Sequence, residues 1–224
     1  VGLLAAITVL LGASSRNPAI ASVAVPLVMI IFPPTSQWLA QALALFAPIS
    51  AWLLPRIIGT IAFLITPFIS LGSRRDIRTE SLVTLENRTN IWRRSIEYWS
   101  TRINDAPHIL TGFGMDGQYR SGVSQTYAND LGALVRSPLH ASVHNSFLQQ
   151  LFDGGLLGCL MFAIAIYWIC VRLSRSRNLR GPYGLSAVAA ISGLLLTSTT
   201  EAALAPGVAQ EPFYMLLILA GVAC

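Results

Sequence analysis

Residues 141–173 read ASVHNSFLQQLFDGGLLGCLMFAIAIYWICVRL, a polar segment with one histidine that leads into a long apolar run. A helix needs about 20 apolar residues to cross a bilayer, and fewer when an interfacial segment completes it. The run Leu156–Leu173 therefore predicts a membrane helix. His144 and Asn145 stand just before its entrance, and the pair Gly154-Gly155 punctuates the approach.

The composition of the whole chain extends this prediction to an all-α, polytopic transmembrane bundle. Of 224 residues, 54% are hydrophobic and 11% charged, whereas soluble domains carry about 25% charged residues. Both ends of the chain are apolar, so we expect a part of a larger membrane protein. Three further spans are predicted, namely Pro18–Phe32, Ile49–Leu71 and Tyr183–Thr199.

One apolar segment, Trp38–Phe46, remains ambiguous between two interpretations. It either begins a long helix kinked at Pro48 and Pro55, or it lies at the membrane interface with Trp38 as an anchor.

The arginines after the late span set the orientation of the chain. Four of them, with no acidic residue, lie between Arg172 and Arg180, which places this short loop in the cytoplasm by the positive-inside rule. Counting back one span puts the long preceding loop outside. We therefore predict transmembrane helices in residues 1–72, an external loop domain in residues 73–155 that carries the catalytic motif, and C-terminal transmembrane helices in residues 156–224.

The external loop contains one clear helical pattern. From Arg88, the residues Trp92, Ile96, Trp99 and Ile103 recur every three or four positions, which gives one apolar stripe. We expect this helix to lie on the membrane surface. The glycine-rich segment 110–117 that follows predicts a tight loop.

Several classes of function are disfavoured by the sequence. The net charge of +5 is modest and spread over the loops, and no basic run with interleaved aromatic residues indicates nucleic-acid binding. The three cysteines lie in apolar spans without metal-type spacing. We therefore predict no metal and no cofactor, and structural roles for the thiols.

Three motifs in a fixed order carry a resemblance to a known family. Ser15-Arg16 follows the first apolar run, Arg88 precedes Trp92 by four residues, and His144-Asn145 opens a late helix. This ordered set, together with the Pro-x-x-Leu-x-Gly-x-Gly segment at 107–114, resembles the C-terminal half of the O-antigen ligase and O-antigen or exopolysaccharide polymerase superfamily. The resemblance implies a multi-pass, GT-C-like glycosyltransferase of the bacterial inner membrane.

The resemblance also implies roles for individual residues. Arg16 and Arg88 would hold the diphosphate of an undecaprenyl diphosphate-linked glycan, since guanidinium groups bind phosphate oxygens bidentately. His144 would accept or position the proton of the acceptor hydroxyl, because imidazole suits proton transfer near neutral pH. Asn145 and Trp92 would contribute to substrate binding. Transfer would be metal-independent and inverting, onto a glycan or a lipid A-core, with a polysaccharide chain-length regulator as a possible partner.

Other interpretations stay open at this point. An arginine at a helix end can be an interface anchor, and Trp92 can pack at the interface instead of stacking on a sugar. A polymerase and a ligase would share the donor chemistry and differ only in the acceptor. A polysaccharide or lipid transporter, or flippase component, is the alternative from another class, although the predicted spans hold few ionisable residues.

Overall fold

The computed structural model describes residues 36–57, 60, 88–128, 137, 141–175, 182–202 and 204–205, and helices are the only regular secondary structure within these ranges. The predicted all-helical fold is confirmed there, whereas the predicted span Pro18–Phe32 and Arg16 lie outside them. The helices are α1 (Ser36–Phe46), α2 (Arg88–Arg102), α3 (Ala106–Thr111), α4 (Gly117–Arg120), α5 (Ser146–Arg175) and α6 (Pro182–Ser198).

Helix α1 resolves the ambiguity at Trp38–Phe46. It passes through a 3-10 turn, Ala47–Ile49, into further helix at residues 50–57. Pro48 lies at the start of this turn, and the Ser50 hydroxyl donates a hydrogen bond of 2.7 Å to the carbonyl of Ala47. The 3-10 turn and this hydrogen bond allow the helical segment to continue beyond the proline. The interpretation as one long helix that passes Pro48 is therefore confirmed over residues 36–57, and this helix begins at Ser36, before the predicted start of the span at Ile49.

Two described helical segments, Trp38–Ile57 and Ser146–Arg175, are long and apolar enough to cross a membrane. Helices α1, α5 and α6 share one apolar cluster, which includes Ala44, Ile166 and Leu195. The amide of Gln41 also donates to the hydroxyl of Ser174 over 2.5 Å, so the start of α1 lies beside the end of α5. On its other side α5 exposes large apolar side chains, as expected of a lipid-facing surface. These are Leu156, Leu157, Leu160, Met161, Ile164 and Trp168.

A second apolar cluster joins side chains of residues 88–128, referred to below as the loop domain, to side chains of residues 141–152 and to Ala51. The predicted stripe of α2 is confirmed, with Trp92 fully buried and Ile103 6% exposed. It packs against Leu148 and Phe152 of α5 and Ala51 after α1. The partners of the stripe are thus protein side chains, and the position of the helix at the membrane surface stays a prediction. The membrane-type helices and the loop domain therefore meet along α2.

Three glycines explain how the loop domain is attached to α5. At Gly155 the helix breaks, with φ of 65° and ψ of −163°. A Cβ there would lie 2.4 Å from the carbonyl of Leu110, and a Cβ on Gly112 would lie 2.5 Å from the carbonyl of Asp153. Only glycine allows backbones to approach so closely. The amide of Gly114 donates to the carbonyl of Asp153 over 2.9 Å, so the predicted tight loop is clamped to the kink.

Candidate active site

Glu201 joins two of the residues singled out in the sequence. One carboxylate oxygen lies 2.5 Å from Nη2 of Arg88, and the other lies 3.1 Å from Nδ1 of His144. The three residues come from the start of α2, the approach to α5 and the turn after α6. A single carboxylate therefore links a permanent cation to a titratable ring.

Arg88 is the most enclosed member of this group. The residue is 7% exposed although it carries a permanent charge. Its Nη2 is paired with Glu201, whereas Nη1 is buried and has no hydrogen-bond partner within the described residues. Buried polar groups are nearly always satisfied, and an exception calls for an explanation. A phosphate oxygen is the kind of partner that a guanidinium nitrogen would accept.

His144 is held by its backbone and leaves its side chain accessible. Its φ of 49° lies in the left-handed region, which costs a non-glycine residue of the order of 1–3 kcal/mol and tends to occur at functional sites. The indole nitrogen of Trp92 fixes this conformation by donating to the carbonyls of Val143 at 2.9 Å and His144 at 3.3 Å. The imidazole is 30% exposed. Nδ1 lies on Glu201, and Nε2 has no hydrogen-bond partner within the described residues.

Asn145 is fully buried and ties three helices together. Its Oδ1 accepts from the amide of Leu148 over 2.9 Å, which caps the start of α5. Its Nδ2 donates to the hydroxyl of Ser50 at 3.0 Å and to the carbonyl of Thr199 at 2.9 Å. The next residue, Ser146, donates to the carbonyl of Glu201 over 3.0 Å. The segment after His144 therefore places the carboxylate that contacts it.

A second buried polar network lies one turn further along α5. The Gln149 amide donates to Gln118 over 2.6 Å and to Asp153 over 2.9 Å. Asp153 also accepts from the amide of Gly117 at 2.8 Å. These bonds join α4 to the kinked part of α5, so the Leu-Gln part of the sequence pattern serves to hold the loop domain in place.

Comparison with known proteins decides the family. A sequence model described as O-antigen ligase matches residues 1–163 of the chain. The protein belongs to the O-antigen ligase family. The resemblance carried by the three motifs is thus confirmed, and the family implies a lipid-linked glycan donor and a glycan acceptor in the membrane. No curated protein and no solved structure matches the chain.

The site residues expected of an O-antigen ligase relative fall into three groups. Arg88 and His144 meet through Glu201. The side chains of Trp92 and Asn145 are adjacent to His144 and buried in this conformation, and their contact with a substrate stays a prediction. Arg16 lies outside the described residues.

Glu201 was missed as a site residue, and the family match does not cover it because that match ends at residue 163. One signal in the sequence could have found it. Glu201 is the only acidic residue between Asp153 and Glu211, and it follows an apolar helix whose predicted outer end lies on the same side as His144. A lone carboxylate at that level is a natural partner for a catalytic arginine or histidine.

The charged and titratable groups of this site determine which reactions it can support. Within the described ranges, no group of three or more His, Cys, Asp or Glu residues could hold a metal ion. Arg88 supplies a cation, His144 a proton acceptor and Glu201 a carboxylate that orients both. This set suits stabilisation of an anionic leaving group together with removal of a proton from a nucleophile.

Proposed function

We propose that this protein transfers a glycan from undecaprenyl diphosphate to an acceptor hydroxyl at the outer face of the bacterial inner membrane. The observation that carries the proposal is the bridge from Arg88 through Glu201 to His144. Arg88, at one end of this bridge, can bind a phosphate, and His144, at the other end, can accept the proton of a hydroxyl group. Membership of the O-antigen ligase family supports the lipid-linked donor.

Arg88 acts on the donor. When the glycosidic bond breaks, its electron pair stays with the diphosphate oxygen, so negative charge grows on the leaving group. A cation in a partly dehydrated site stabilises this charge better than water does. Nη1 of Arg88 is enclosed in this conformation, so the donor has to open the region around Arg88 to reach it. Arg16, carried by the same resemblance, supplies the second cation.

His144 acts on the acceptor. The acceptor oxygen forms the new bond to the anomeric carbon from the side opposite to the leaving phosphate, and its proton passes to Nε2. Glu201 holds Nδ1 and stabilises the imidazolium that results, as carboxylates do for catalytic histidines generally. Attack from the opposite side inverts the anomeric centre, and no step requires a metal.

Trp92 and Asn145 are positioning residues in this scheme. The Trp92 indole fixes the backbone of His144, and the Asn145 amide fixes the start of α5 against α1 and α6. The acceptor is either a second lipid-linked glycan or a lipid A-core, since both present a sugar hydroxyl to His144. The same three-residue bridge serves a polymerase and a ligase.

An apolar cavity of about 320 Å³ supports a lipid-linked donor. Its lining includes Phe147 and Leu148, a few residues after His144, together with Trp52 and Cys159. Two lining residues thus follow His144 closely along the chain, and Trp52 is an exposed apolar side chain. The first isoprenyl units of the carrier would fit this cavity while the diphosphate lies at Arg88.

The proposal is tested by transfer from undecaprenyl diphosphate-linked glycan in membranes that contain His144→Ala. Loss of a proton acceptor costs about 10²- to 10⁴-fold in rate, and membrane insertion should be unchanged. The matched control is His108→Ala, since His108 pairs with Asp105 and stacks on Phe113 with a 4.3 Å centroid distance. Wild-type rates for His144→Ala would remove His144 from the reaction.

A further inference from the structure

A polar cavity lies on the face of α2 that points away from the apolar stripe. Its volume is about 310 Å³, and it lies between α2 and the turn Val123–Thr126. The lining consists of two arginines, one carboxylate, one phenol and two threonine hydroxyls. These residues are Arg94, Glu97, Tyr98, Thr101, Arg102 and Thr126, referred to below as the polar groove.

The walls of the polar groove are fixed to each other. Positions 94, 98, 101 and 102 recur at the spacing of one helical face. Arg94 donates to the carbonyl of Thr126, and the Tyr98 hydroxyl donates to the carbonyl of Ser121 over 2.6 Å. Gly122 lets this second wall approach, since a Cβ there would lie 3.3 Å from the Tyr98 oxygen. The groove is therefore formed before any ligand arrives.

Two groups of the polar groove have unused capacity for a ligand. Within the described part of the chain, neither the carboxylate of Glu97 nor the guanidinium of Arg102 makes a hydrogen bond or an ion pair, although the Glu97 backbone carbonyl accepts from the Thr101 hydroxyl. Guanidinium nitrogens donate hydrogen bonds and a carboxylate accepts them. A hydroxyl group can act as both acceptor and donor, so it can bond to both side chains. Tyr98 adds an aromatic wall. A ligand rich in hydroxyl groups matches this set better than a phosphate or an apolar chain does.

We propose that the polar groove binds a saccharide segment of the transferred or accepting glycan, several sugars from the bond that reacts. The inference rests on the proposed function for the identity of the glycan. Both sites lie on one helix, with Arg94 about 9 Å and Arg102 about 21 Å along α2 from Arg88, at 1.5 Å per residue. A glycan that leaves the reaction centre along α2 thus meets the groove.

The test compares Glu97→Ala and Arg102→Ala with Arg93→Ala in the purified full-length protein. Arg93 is an exposed arginine of the same helix outside the groove. The probe is the oligosaccharide released by mild acid from the lipid-linked donor, and its Kd is measured by equilibrium dialysis. Loss of one charge-assisted hydrogen bond should raise Kd about tenfold, while Arg93→Ala binds like the wild type.

Transfer kinetics distinguish the two sources of the saccharide. If the groove holds the donor chain, the variants raise KM for donors of several repeat units and leave single-repeat donors and kcat unchanged. If it holds the acceptor chain, KM for long acceptors rises instead. Unchanged Kd in both groove variants overturns the inference, even when transfer proceeds. Binding that depends on the groove without any transfer by the wild type would refute the proposed function alone.

Discussion

Replacing the carboxylate that joins the two halves of the site, Glu201→Gln, is the sharpest test of the geometry. The variant keeps the size of the side chain and removes its charge. The side chain at position 201 contacts Arg88 at 2.5 Å and His144 at 3.1 Å in the wild type. In the variant it carries no charge with which to pair with either residue. Transfer should fall while the protein still inserts and folds, because Gln can donate or accept in the same place.

The size of the effect follows from the contact to His144. A hydrogen bond to a charged group contributes about 1.5–3 kcal/mol, which corresponds to about 10- to 150-fold in rate. The site is not fully dehydrated, since the Glu201 side chain is 20% exposed and the imidazole 30%. Values near the lower end of that range are therefore expected. The loss should appear in kcat at saturating donor, because Glu201 stabilises the imidazolium formed during transfer.

The assay measures initial rates of transfer from undecaprenyl diphosphate-linked glycan, with the thermal midpoint in detergent as a check on folding. Asp116→Asn is the matched control, because Asp116 is an acid of the same domain in a left-handed conformation that asparagine also tolerates. Glu201→Asp keeps the charge but is too short to hold both partners, and it should give an intermediate rate. A wild-type kcat in Glu201→Gln would refute the role of the carboxylate.

Two further outcomes are expected. Arg88→Lys should lose at least about tenfold in kcat/KM for the donor, since an ammonium group cannot make the two-pronged phosphate contact. Arg93→Lys, the neighbouring exposed arginine, should transfer normally, and equal tolerance at both positions would make Arg88 a structural residue. Gly155→Ala should lower the free energy of unfolding by about 2 kcal/mol or more, because its φ of 65° is strained and its Cβ would meet α3 at 2.4 Å. Gly193→Ala, with open space around it, should leave the thermal midpoint unchanged or higher.

The sequence predicted the helices of this protein better than it predicted their contacts. Periodicity located α2 and its stripe, because an amphipathic helix repeats along the chain whatever lies against it. Periodicity does not say whether the partner of the stripe is lipid or protein. The partners Leu148 and Phe152 lie more than 40 residues away in the sequence, so the pattern of α2 alone could not identify them.

The candidate site shows the same limit. Arg88 and His144 could be chosen from the resemblance, yet their connection depends on Glu201, which lies 113 residues from one and 57 from the other. The packing of α6 against α1, together with the hydrogen bonds that Asn145 and Ser146 donate to the turn after α6, brings that carboxylate to the site. Trp92 and Asn145 were chosen for substrate binding, which stays a prediction, and the structure shows them holding the backbone around His144; a motif does not distinguish these two roles.

The residues that position the backbone around His144 are different from the side chains that carry the proposed chemistry. Trp92 fixes the backbone of residues 143 and 144, Asn145 joins the start of α5 to α1 and α6, and Ser146 holds the backbone of Glu201. None of these contacts uses the imidazole of His144, whose described partner is the Glu201 carboxylate. The hydrogen bonds that fix the backbone around the ring therefore do not depend on the ring itself. A site built this way can lose its reactive group and keep its shape, which is why transfer and folding should separate in variants of His144 and Glu201 and should fail together in variants of the Gly155 clamp.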